Sequence, residues 1–145
     1  MNLKNASFLP MKPLKEAKIK QILASDKNIE IAFLFGSAAS GKLRDSSDTD
    51  IALLLRRVPS AQKRLNFRLD VAGKISELTG RETDIVVLNT AGSLLKYQTV
   101  RNGKLLFERR KGLAKRFRLA AINEYFDYLP TLKFHYERLK ERRTR

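Results

Sequence analysis

The spacing of hydrophobic residues along this chain switches between two periods, and the switches divide it into elements. Between about Pro13 and Ser25, Ile19, Ile22 and Leu23 recur at the three-to-four spacing of one helix face. Asp26-Lys27-Asn28 reads as a turn, and Ile29 to Phe35 is a run of branched and aromatic residues that predicts a strand. Ser37 to Leu43 suits a short helix with Ser37 as its N-cap, and Arg44 to Ser47 reads as loop. Asp50 to Leu55 is a second strand, apolar enough to be buried on both faces. Beyond Val58-Pro59-Ser60, Leu65, Leu69, Ala72, Ile75 and Leu78 give a helix from about Ala61 to Leu78 an apolar face, and Gly80 ends it. Thr83 to Leu88 is a third strand, Ser93 to Arg101 a helix, and Leu105 to Phe107 a short strand. From Leu113 onward the chain reads as helix, with Phe117, Ala121, Tyr125, Tyr128, Leu132, Tyr136 and Leu139 in steps of three and four. Pro130 is expected to interrupt or restart that helix.

This order predicts an α+β domain spanning residues 1–145: a small mixed sheet flanked by helices over about 13–107, then a helical segment over about 111–142. The 145 residues suffice for one core and not for two. No run approaches the ~20 apolar residues that span a bilayer, and the N-terminus lacks the apolar core of a secretory signal. A cytoplasmic location is the expectation. Without cysteine the chain has no disulfide and no thiolate metal site.

Charge changes the picture more. Thirty Lys and Arg stand against fifteen Asp and Glu, a net charge of +15. Such a field favours anionic ligands and acidic surfaces. Direct nucleic-acid binding is permitted, but no zinc-finger spacing or aromatic RNA-binding signature favours it.

Against this basic background, the acids at the strand starts stand out. Asp48 and Asp50 are two apart where a strand opens, which places both on one face. The preceding strand ends in Gly36-Ser37, where bare backbone and a hydroxyl can approach a phosphate. Asp84 opens a third strand and supplies another carboxylate if that strand is adjacent. Paired carboxylates of this kind hold divalent ions that neutralise a triphosphate during nucleotidyl transfer. Each piece alone is a weak signal: Asp-x-Asp often caps a strand, Gly-Ser is a common turn, and an aspartate often opens a strand. The joint arrangement is far more specific.

That arrangement, Gly36-Ser37, ten residues, then Asp48-x-Asp50 between apolar strands, resembles the signature of the DNA polymerase β-like nucleotidyltransferases. The short chain is similar to the minimal (MNT-domain) members, above all the antitoxins paired with HEPN-domain RNase toxins. The resemblance implies a nucleotidyltransferase fold, Mg2+ as cofactor, ATP as substrate, and transfer of AMP to a tyrosine of the HEPN partner. It also implies Asp48, Asp50 and Asp84 as metal-holding catalytic acids and Gly36 and Ser37 as the triphosphate contacts. One departure is Ser40, where many relatives carry arginine; Lys42 or Arg44 is available to supply that charge.

A different class of function, neutralising a partner by binding and occlusion, rests on the C-terminal aromatics Phe117, Tyr125, Phe126, Tyr128, Phe134 and Tyr136. These are expected mainly in the core. His135 is expected as an ordinary helix residue and not a general base. Transfer to a small polycation such as an aminoglycoside is disfavoured by the positive charge.

Overall fold

The computed structural model describes residues 15–36 and 48–144. The helix expected over Ser37 to Leu43 lies outside them, as do Pro13 and Leu14 at the expected start of the first helix. The described elements are α1 (Glu16–Ser25), β1 (Ile29–Phe35), β2 (Thr49–Leu55), α2 (Ala61–Thr79), β3 (Thr83–Val87), α3 (Ser93–Asn102), β4 (Lys104–Glu108) and α4 (Leu113–Arg143). The strands form one mixed sheet in the order β3-β2-β1-β4. β1 is antiparallel to both β2 and β4, whereas β2 and β3 run parallel.

The sheet is covered on both faces, which explains why β1 and β2 read as nearly continuous apolar runs. One face presents Leu34, Ile51, Leu53 and Ile85 to Ile19 and Leu23 of α1 and to Val71 and Ile75 of α2. The other presents Ile31, Phe33 and Ala52 to Val100 of α3 and to Ala114 and Ala121 of α4. Beyond β3 the chain makes a single 3-10 turn over Leu88–Thr90. There Asn89 copies a strand partner: its Oδ1 accepts from Leu55 N (2.8 Å) and its Nδ2 donates to Leu55 O (2.9 Å).

Three expectations need correction. Leu65 and Leu69 are exposed, and Val71 and Ile75 carry the buried face of α2. Successive steps of three residues turn a stripe backward by about 60° each, so Leu65 and Leu69 do not share a face with Ile75 and Leu78. Second, α4 runs through Pro130 as one 31-residue helix. The carbonyl that proline leaves without a donor belongs to exposed Phe126, where water can satisfy it. Third, most of the C-terminal aromatics are not core: Phe126, Tyr128, Phe134 and Tyr136 are all exposed.

Glu30 is a buried acid in β1, held by Arg56 Nε (2.6 Å) and Arg110 Nη2 (3.4 Å). The Arg56 hydrogen bond outweighs the cost of burial and holds its carboxyl below the usual range. The stabilisation is therefore fully present above glutamate's ordinary pKa and is lost as pH falls through the depressed one. Both arginines are more than half exposed, which weakens the pair. Glu30→Gln should lower stability by about 1–2 kcal/mol at neutral pH. In thermal melts the gap to wild type should narrow below pH 4; a gap constant with pH would show that the charge is not what matters.

Candidate active site

β1 ends where β2 and β3 begin, so one end of the sheet collects the residues that precede and open these strands. Register does the rest. Phe35 pairs with Asp50 across β1 and β2, and Asp50 is level with Asp84 across the parallel β2–β3 pair. With side chains alternating, Asp50 falls on the face of Ala52 and Leu54, and Asp84 on the face of Val86. This is the face covered by α3 and α4. The helices stop short of the acids: Asp50 is half-buried and the Asp84 side chain is 62% exposed. Asp48 is exposed, one residue ahead of β2, and the Thr49 N–H bond to Glu82 O (2.8 Å) fixes where it stands.

The Asp50 carboxylate feels the other two. Burial raises the pKa of Asp50, and the charges of Asp84 and then Asp48 raise it further. Gly36 sits directly against this centre with φ +70°, and a Cβ there would overlap Asp50 Oδ2. The missing Cβ thus leaves room for the Asp50 carboxylate, and the left-handed backbone favours glycine there. Ser37 lies outside the described residues, as do Ser40, Lys42 and Arg44.

Arg68 was not foreseen from the sequence. It reaches from α2 around the edge strand β3, where Nε donates to Ile85 O (2.6 Å) and Nη2 lies 3.6 Å from Asp84 Oδ1. It thereby covers part of an open sheet edge and steadies the third acid. No local pattern marks it; only the placement of β3 at the edge, beneath α2, does.

The donor set fits a hard divalent cation. All three side chains offer carboxylate oxygens, two of them level on adjacent strands, and their mutual repulsion is of the kind that a bound cation relieves. Among the described residues no three such groups converge on one point, so the acids share an end of the sheet without closing on each other.

The fold, with carboxylates at the open end of its sheet, is that of a nucleotidyltransferase. Residues 17–112 match the family described as polymerase beta, nucleotidyltransferase, and the chain belongs to that family. A protein named "Protein adenylyltransferase MntA" from Shewanella oneidensis is 32% identical over 99 residues, covering 67% of this chain and 68% of the relative. Another of the same name from Aphanizomenon flos-aquae is 26% identical over 106 residues, covering 66% of this chain and 67% of the relative. A chain from a solved toxin–antitoxin structure with AMP-PNP superposes with a TM-score of 0.77 at 25% identity, over 88% of this chain and 99% of that one. No helix among the described residues is long and apolar enough to cross a membrane.

Proposed function

We propose that this chain is an antitoxin that transfers AMP from ATP to a tyrosine of a HEPN-domain RNase toxin and so silences it. The observation that carries the reading is Asp50 level with Asp84 at the open end of the sheet, with Gly36 against Asp50. The adenylyltransferase relatives and the AMP-PNP-bound neighbour support the choice of ATP and of a protein acceptor.

In this mechanism Gly36, whose missing Cβ leaves room for the Asp50 carboxylate, offers its backbone to the triphosphate, and Ser37 contacts a phosphate oxygen. Asp48, Asp50 and Asp84 would hold magnesium, which would supply charge neutralisation on the triphosphate and make the attacking hydroxyl more acidic. Asp84, steadied by Arg68, faces solvent and so can meet a hydroxyl carried on another protein. The tyrosine oxygen attacks the α-phosphorus, a P–O bond forms as the bond to pyrophosphate breaks, and the hydroxyl proton passes to an Asp84 oxygen. Little covalent help is needed, since positioning and charge dominate phosphoryl-type transfer.

Incubation with ATP labelled at the α-phosphate, Mg2+ and the cognate HEPN protein should label that protein. A complex that forms but takes no label would sink the transfer reading. A second reading, inhibition by occlusion, is favoured by the exposed outer half of α4. Inhibition that persists without ATP would select it.

A further inference from the structure

The apolar stripe of α4 does not stop where the domain stops. Along its first half, Ala114, Phe117 and Ala121 pack on the sheet, and Tyr125 stacks on Tyr97 of α3 with ring centroids 4.0 Å apart. Tyr128, Leu132, Tyr136 and Leu139 continue the same stripe in steps of three and four. Every residue from Pro130 to Thr144 is nevertheless exposed. Leu139 is 61% exposed and Tyr136 58%, though a one-sided apolar stripe normally has a face to meet.

The root of this arm is fixed. The Glu108 carboxylate accepts from Gly112 N (3.1 Å) and Ala114 N (2.8 Å), which caps the helix start and ties it to β4. Those two hydrogen bonds also hold the Glu108 pKa below its usual range. The outer half therefore leaves the body as a continuation of a packed and anchored helix. That preorganisation spares a partner the cost of ordering it.

We propose that the outer half of α4 is the docking surface for the toxin, and that it fits an acidic protein face bearing its own apolar stripe. The inference rests on the antitoxin reading and adds where the partner binds and what its surface must be. Charge selects the occupant. The arm carries Lys133, Arg138, Lys140, Arg142 and Arg143 against Glu137 and Glu141. A second copy of this chain would bring another +15 molecule and another basic arm to the contact. An acidic partner gains from the same field. Two of the cations lie over exposed rings in the free chain: Arg138 over Phe134 (5.7 Å) and Lys140 over Tyr136 (4.8 Å). On docking, the rings can turn to apolar contacts and the cations to carboxylates, as in helix-in-groove recognition.

The test is titration of full-length chain with its cognate HEPN RNase by calorimetry, at two salt concentrations, with light scattering of each protein alone. Leu132→Glu with Leu139→Glu should weaken binding by about 100-fold, with an unchanged circular dichroism spectrum because both side chains are exposed. Arg138→Glu with Arg142→Glu should weaken it by about 10-fold and flatten the salt dependence. Wild type and both variants binding alike would overturn the docking surface while leaving AMP transfer standing on its own labelling assay. Failure of wild type to bind the toxin would overturn the assigned occupant. So would a wild-type self-dimer that the Leu132 and Leu139 substitutions dissolve.

Discussion

Asp48→Asn combined with Asp50→Asn should abolish AMP transfer and, at the same time, leave a protein that melts at a higher temperature without metal. The loss follows from charge: the two substitutions remove two of the three carboxylates that share the open end of the sheet. We expect a fall of about 10³-fold or more in the rate of label transfer, in line with the several kcal/mol that such charge stabilisation supplies. The gain in stability follows from the raised pKa of Asp50. Burial and the Asp84 and Asp48 charges disfavour its ionised form in the folded chain. Its contribution to stability is therefore fully present below aspartate's ordinary pKa and lost as pH rises through the raised value. Asparagine has no charge to repel, so the double variant should be steadier at neutral pH, by no more than about 1 kcal/mol because solvent screens a half-exposed group. For a domain of this size that is a rise in Tm of up to about 4 °C, and the advantage should vanish in acid. Melting curves in EDTA at pH 7 and pH 3.5, beside the transfer assay, check both halves. A double variant that is inactive but melts lower would mean that the acids serve the fold. Glu30→Gln, which removes a paired acid, should shift stability the opposite way.

Legibility of this molecule in its sequence follows how local each interaction is. β1 is bounded where the branched and aromatic run predicts, because Asp26-Lys27-Asn28 before it and Gly36 after it are unambiguous punctuation. Asp50 and Asp84 were candidates from strand starts alone, but only the parallel register of β2 and β3 makes them neighbours. That register depends on α2 carrying the chain back across the sheet, a long-range fact. Arg68 was invisible for the same reason: its partners, Ile85 O and Asp84, lie on a strand whose edge position no spacing reveals. The outer half of α4 shows a subtler limit. Its steps of three and four read the same whether the stripe is buried, as at Ala121, or bare, as at Leu139. Hydrophobic pattern identifies a face and is silent on what covers it.

Gly36→Ala should cost roughly 10²-fold in transfer, and a second glycine tells why. Gly36 and Gly80 hold nearly the same left-handed backbone, φ +70° and +68°. An alanine at either position pays about 1–2 kcal/mol for a conformation that L side chains disfavour. Their surroundings differ. A Cβ at Gly80 meets nothing within 4 Å, whereas one at Gly36 overlaps the Asp50 carboxylate. Asp50 must then rotate or move, and a misplacement of about 1 Å at a reacting centre commonly loses 10²-fold. Gly80→Ala should therefore melt lower than wild type yet transfer AMP at nearly the wild-type rate. Gly36→Ala should suffer a comparable melting loss and lose the activity as well. Subtracting one variant from the other removes backbone strain and leaves the contact with Asp50. Equal activity in the two alanine variants would mean that the position of Asp50 does not limit transfer, and the close fit of Gly36 against it would then need another explanation. A defect confined to Gly36→Ala would tie the end of β1 and the acidic strand into one catalytic unit through a single close approach, that of Gly36 to Asp50 Oδ2.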